Sequence, residues 1–345
     1  MFDDIISQIP IPANFSGENG EKPSKPYRKC RNISPNDLVE AMEQLLVFNQ
    51  SLIKTMNLMK TIWNKSAIKA LQVFNWMFFV MMIMANYLAN ALPFNNKTTG
   101  QLSAQYPNLF VPAPITFAIW GIIYVSLLFF CIKQSKSLFK SHVDEATADT
   151  VGTIGSRFIV TCILNILWML SWHYEYLIFS VFVMLALLVQ LVNINARLNA
   201  IVPYLNKTSR TAIKIPFGSY LGWICIATIA NITAALVGTN WEGWGQSETF
   251  WATMMILVGT VISSWALLKL KNTYIGLSVA WALTGIIIAR LEADVYYRFI
   301  VWSAVFGILL VVAAMIVEIT GSLFRKSKIK VLDSKLDHNH KAVVL

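Results

Sequence analysis

The sequence predicts an all-α polytopic membrane protein with about eight transmembrane helices. Three observations predict it. Hydrophobic residues make up 56% of the 345 and charged residues 13%, whereas a soluble domain carries about 25% charged residues. Between Val73 and Thr320 the chain falls into eight apolar stretches, and a helix needs roughly 20 apolar residues to cross the hydrocarbon. None of the stretches alternates with the period of two that marks a membrane barrel strand.

The elements follow in order. Residues 1–33 read as disordered, with Pro10, Pro12, Pro23 and Pro26 among polar residues. Ser34-Pro35-Asn36-Asp37 then has the form of a helix start: Ser34 as cap, Pro35 in the first turn, Asp37 near the positive dipole end. Leu38, Met42, Leu45, Leu52, Met56, Met59 and Trp63 recur at helical spacing, with Asn49 interrupting the seam. Residues 34–72 are therefore expected to form a cytosolic amphipathic helix. It either lies on the membrane as a lead-in to the first span or pairs with a partner helix, including a second copy of the chain.

The expected spans are Val73–Leu92, Pro112–Ile132, Arg157–Trp172, Leu177–Ala196, Ile215–Gly238, Thr249–Leu268, Thr273–Ala289 and Phe299–Ile319. The acidic segment Ser141–Gly155 is expected to form a short interfacial helical turn, and residues 321–345 an unstructured basic tail that can touch anionic lipid. No repeat relates the first four spans to the last four. In the fifth span, Gly218-x-x-x-Gly222 predicts close helix packing, within the chain rather than between copies.

Of the 28 Lys and Arg, only Lys97, Arg290 and Arg298 fall in the alternate loops. Positive residues stay cytosolic, so both termini are expected on the cytosolic side. The net charge of +10 is then a topology signal, and nucleic acid is not an expected partner. Met1–Lys29 lacks an apolar core, so the first span is expected to act as the targeting signal. The plasma membrane, or an organelle membrane in a eukaryote, is the expected location. Cys30, Cys131, Cys162 and Cys225 all fall in spans or on the cytosolic side, which argues against a disulfide framework. Asn96-Lys97-Thr98 is a glycosylation sequon in the first outer loop.

Phosphate-loop, zinc-protease and Cys-x-x-Cys motifs are absent. His142, His173, His338 and His340 show no metal-ligand pairing within a span. No metal, cofactor or catalytic residue is expected, and the chain is expected not to be an enzyme. Arg290, Glu292, Asp294 and Glu318 lie at span ends, where snorkelling or interfacial pairing accounts for them.

The spans do hold tryptophan and asparagine. Trp172, Trp241, Trp244 and Trp251 fall near the outer boundary, where aromatic belts are ordinary. Trp120, Trp168 and Trp223 lie deeper, with Asn165 and Asn231. A buried amide must find hydrogen-bond partners. Asn165 and Trp168 share a helix face, as do Trp223, Ala227 and Asn231 at spacings of four. These residues are expected to line one cleft in the outer half of the membrane, beneath Pro93–Val111 as a lid. A second reading makes the same side chains internal packing.

A resemblance enters at these residues. Phe110-Val-Pro-Ala-Pro-Ile-Thr-Phe-Ala-Ile-Trp120-Gly-Ile-Ile-Tyr124 resembles the second-helix signature of the TspO/MBR family. Leu164-Asn165-Ile-Leu-Trp168 is similar to its third-helix motif, and Pro216 with Tyr220-Leu-Gly-Trp223-Ile-Cys-Ile-Ala227-Thr228-Ile-Ala-Asn231 to its fifth. The resemblance covers about Val73–Trp241. It implies a TspO-like five-helix bundle over 73–245, with three additional helices over 246–320. It also implies a lipophilic-ligand pocket, associated in the family with tetrapyrroles and sterols, to which Trp120, Tyr124, Asn165, Trp168, Trp223, Ala227 and Asn231 belong. Ala118 stands where the family has Pro, Pro114 where it has an earlier Trp, and the sterol-type motif after the fifth helix is missing. Sterol is therefore the less favoured ligand. The expected function is a membrane-embedded binder or sensor of a planar lipophilic, tetrapyrrole-like molecule. The alternative is a permease or secondary transporter of a small hydrophobic molecule. A tetrapyrrole enzyme using tryptophan photochemistry, and an assembly role led by residues 34–72, are further readings.

Overall fold

The computed structural model describes residues 65–92, 94–139 and 144–343. The chain divides into two units, 1–59 and 60–345, and every described residue belongs to the second. The expected disorder of 1–33, and residues 34–64 of the expected amphipathic helix, lie outside the described residues.

The described residues form ten α-helices: α1 Lys65–Ala91, α2 Thr99–Gln105, α3 Ile119–Gln134, α4 Glu145–Ile154, α5 Arg157–His173, α6 Leu177–Ile201, α7 Lys207–Gly238, α8 Glu248–Leu270, α9 Thr273–Leu291 and α10 Arg298–Val343. Strands are absent among them. Seven helices are long and apolar enough to span a bilayer, or eight if α4 and α5, bent by 47°, count as one span. The protein is an all-α, multi-pass membrane protein. One correction concerns the tail: residues expected to be unstructured continue α10 to Val343. They are rich in Lys and Leu and free of Gly and Pro after Gly321, a composition that favours helix wherever a preceding turn nucleates it.

Short polar caps set the helix starts. Thr98 and Gln101 form a reciprocal capping box on α2, and Asp144, Asn206 and Ser247 cap α4, α7 and α8. Each satisfies a backbone N–H that the first helical turn leaves over.

Helices α1, α5, α6, α7 and α3 pack in that order as a ring, which closes where α3 meets α1. On the far side of α7 lies α9, and α8 and α10 pack against α9 and each other. The joint between the two groups is made by small residues. A Cβ on Gly222 would overlap the Ile275 carbonyl, and one on Gly218 would lie 2.5 Å from Asn272 Nδ2. The Gly218-x-x-x-Gly222 motif thus packs within the chain, as expected. At this end Asn272 Nδ2 also donates to Asn195 Oδ1 at 2.9 Å and to the Lys214 carbonyl at 3.0 Å. This end carries Lys133, Lys214 and Lys271 and is called the basic end; the opposite one, carrying α2, is the lid end.

Candidate ligand site

At the lid end of the five-helix ring two hydrogen-bond chains cross its interior. In the first, the Tyr124 hydroxyl donates to Asn86 Oδ1 at 2.8 Å, Asn86 Nδ2 to Asn165 Oδ1 at 2.7 Å, and Asn165 Nδ2 to the Tyr220 hydroxyl at 2.9 Å. It ties α3, α1, α5 and α7. In the second, Trp168 Nε1 donates to Asn231 Oδ1 at 2.6 Å, and Asn231 Nδ2 donates to Ser180 Oγ at 2.8 Å. It ties α5, α7 and α6. Every ring helix is crossed by one chain or the other. Asn165 is fully buried and Asn231 is 3% exposed, so their partners are what make the burial tolerable.

Around these chains the aromatic rings stack. Tyr124 and Trp120 lie 5.4 Å apart at 25°, Trp120 and Trp168 6.3 Å at 29°, and Trp168 and Trp172 6.1 Å at 18°. The result is a ladder of four nearly parallel rings. Trp223 meets Trp120 edge-on at 6.0 Å, and Phe117 meets Trp223 edge-on at 5.9 Å. Edge-to-face and offset contacts at these distances are the favoured aromatic geometries.

Two chambers flank Trp120. The first, about 620 Å³, is a groove lined by Ile83, Asn86, Tyr87, Phe117, Trp120 and Tyr124 among others. The second is much smaller, about 50 Å³, and is walled by Trp120, Trp168, Trp172, Trp223, Ala227 and Asn231 among others. Phe117, Trp120 and Thr99 of α2 belong to both. The single cleft expected from the sequence is therefore two spaces that share Thr99, Phe117 and Trp120 as a common wall.

Five of the expected site residues, Trp120, Trp168, Trp223, Ala227 and Asn231, meet at the small chamber. Tyr124 lines the groove instead. Asn165 lines neither: it sits deeper than Trp168 on α5, filled in by Asn86 and Tyr220, so its amide faces protein and not a ligand. Trp172, expected in the interfacial belt, is 6% exposed and walls the chamber. The reason lies above it, where Tyr106 of the first loop packs on its ring at 6.3 Å. Trp241, Trp244 and Trp251 instead cluster with one another, and Trp244 is exposed. Sequence reasoning missed Asn86 and Tyr220; the short spacing Tyr220-x-x-Trp223 was the available signal for the second.

The first loop is latched over the site. Lys97 Nζ reaches Glu175 Oε1 at 2.6 Å, the Tyr106 hydroxyl donates to Glu175 Oε2 at 2.7 Å, and Asn95 Nδ2 donates to the His173 carbonyl at 3.3 Å. Hydrogen bonds from Lys97 and Tyr106 hold the Glu175 carboxyl below its ordinary range. Burial, and then the same carboxylate, push the Tyr106 hydroxyl up to about 12. Among the described residues no cluster of His, Cys, Asp or Glu has the makings of a metal site.

The sequence profile of the family described as TSPO-like protein matches residues 72–317. The chain belongs to that family. The match begins at the first span and runs through all the later ones, so the TSPO-like family region takes in α8, α9 and most of the membrane part of α10 as well as the five-helix ring. No curated protein and no solved structure matches the chain. Membership in the TSPO-like family suggests a membrane-embedded ligand-binding or transport role.

Proposed function

We propose that the protein is a non-enzymatic, membrane-embedded binder or sensor of a planar lipophilic ligand of tetrapyrrole type. The observation that carries this reading is the ladder Tyr124, Trp120, Trp168 and Trp172, whose near-parallel planes match a flat molecule. The groove beside Trp120 has the volume of a small-molecule site, and the small chamber alone does not. The ligand is taken to stack on Trp120 from the groove and to reach the chamber as that ring turns aside. Trp223 Nε1, buried without a hydrogen-bond partner, supplies a donor within reach of the chamber. An unmade bond at a buried donor costs about 1–3 kcal/mol, which a ligand acceptor recovers.

The test is a titration of the purified protein in detergent with protoporphyrin IX, followed by tryptophan fluorescence. Saturable quenching is expected at micromolar ligand. Trp223→Ala, which removes one ring contact and one donor, and Ala227→Phe, which fills the chamber, should each weaken it about tenfold. Absence of quenching would sink the reading. Vectorial uptake of the same probe into liposomes would replace the binder with the permease. In cells, both termini are expected to label from the cytosolic side and a cysteine within 95–105 from the other.

A further inference from the structure

The turn that carries Phe117 and Trp120 into the site is held from outside the five-helix ring. Pro112-Ala113-Pro114 offers one backbone N–H, that of Ala113, because proline has none. That N–H donates to the Gly285 carbonyl of α9 at 2.9 Å. Two residues past the second proline, the Thr116 carbonyl accepts from Trp281 Nε1 at 2.8 Å. Trp281 and Gly285 are four residues apart and share a face of α9. The fit between them is tight. A Cβ on Gly285 would overlap the Thr116 hydroxyl and lie 2.6 Å from Thr116 Cγ2 and 2.8 Å from its Cβ. Thr116 is 1% exposed. The α-helix of the third element then begins at Ile119, so Trp120 leaves this turn at its first helical step.

We propose that Trp281 and Gly285 of α9 are positioning residues for the site: they clamp the 112–118 turn and thereby fix the indole of Trp120 between the two chambers. A site wall has to be held to within about half an ångström by the residues behind it, and behind this one stands a helix of the second group. The consequence for ligand rests on the binder reading above, so ring and ligand are read separately.

The protein is labelled with 5-fluorotryptophan, and the Trp120 resonance is assigned by Trp120→Phe. Gly285→Ala is expected to shift it. Gly285→Ala combined with Thr116→Gly, which moves the missing side chain to the other partner, is expected to return it. The resonances of Trp265 and Trp302, both 65% or more exposed on the far group, should stay in place. Where Gly285→Ala does not fold, Trp281→Phe removes the N–H together with part of the ring and should shift Trp120 the same way. A folded variant with Trp120 unmoved overturns the clamp. Protoporphyrin IX affinity should fall about tenfold in Gly285→Ala and recover in the double variant. A shifted ring with unchanged affinity overturns the clamp's role in binding. A wild-type protein that ignores protoporphyrin defeats the binder reading and leaves the ring shift to decide the clamp.

Discussion

In the first five spans polar side chains tie the ring helices to one another; in the last three the hydroxyls turn back on their own helices, while Trp281 reaches the 112–118 turn of the first group. Asn86, Asn165, Tyr220, Trp168, Asn231 and Ser180 bond between helices. The hydroxyls of Thr260, Thr284 and Ser303 instead donate to carbonyls three or four residues earlier. Where α8, α9 and α10 meet, close approach comes from small residues: a Cβ on Gly307 would lie 2.7 Å from Thr260 Oγ1, and one on Gly276 2.6 Å from a Leu267 methyl carbon. Both are ways of holding helices together in hydrocarbon, where apolar burial alone does little. They leave different interiors. Long amides and indoles brace the ring and leave room between them, whereas glycine lets a neighbouring side chain seat directly against the helix backbone.

The largest effect should come from the amide chain. Asn165→Leu keeps the volume but orphans the Tyr220 hydroxyl and one amide proton of Asn86. Thermal unfolding in detergent should show a loss of about 3 kcal/mol, at about 1–3 kcal/mol per orphaned group. A loss no greater than that of a hydroxyl deletion in the second group would break the comparison. Gly222→Leu comes next. It drives a side chain into the Ile275 carbonyl and should cost about 2 kcal/mol by overpacking, with α8–α10 becoming protease-sensitive before the ring does. Simultaneous cleavage of both groups would mean that the joint is not where they part.

Eight apolar stretches were legible because hydrocarbon tolerates so little else, and the pairing of Trp223, Ala227 and Asn231 on one face followed from helical spacing alone. Trp172 was not legible. Its depth marks an interface, and the docking of Tyr106 on one side and the stack on Trp168 on the other make it interior. Nor was the role of α9: Thr116 and Trp281 are 165 residues apart, and no local pattern couples them. The tail was misread because its polarity was weighed and its helix propensity was not.

A third, smaller effect concerns the lid, which the second group lacks. Glu175 has a depressed pKa, so its contribution is complete above the ordinary carboxylate range and is lost as pH falls through the depressed value. Tyr106 stays protonated, and able to donate, until pH approaches about 12. Acrylamide quenching of tryptophan should rise on acidification, and Glu175→Gln should abolish that dependence. A pH response unchanged by Glu175→Gln would assign it elsewhere. The smallest effect should be Thr260→Val, within about 0.5 kcal/mol of wild type, since the lost bond runs to its own helix. A cost near that of Asn165→Leu would erase the distinction.

The 17 residues of α5 cover about 25 Å, and the 25 of its neighbour α6 about 37 Å. A bilayer core is about 30 Å thick. Ile163, Leu167 and Leu170 are exposed along α5, so lipid meets the short helix directly. At its start α5 meets α4 at a 47° bend, with Gly155 at the break, so the two helices together make up the length that α5 lacks alone. Hydrophobic mismatch costs fractions of a kilocalorie per ångström. The side of the ring that holds Asn165 and Trp168 is therefore the side on which a helix shorter than the hydrocarbon is thick faces lipid.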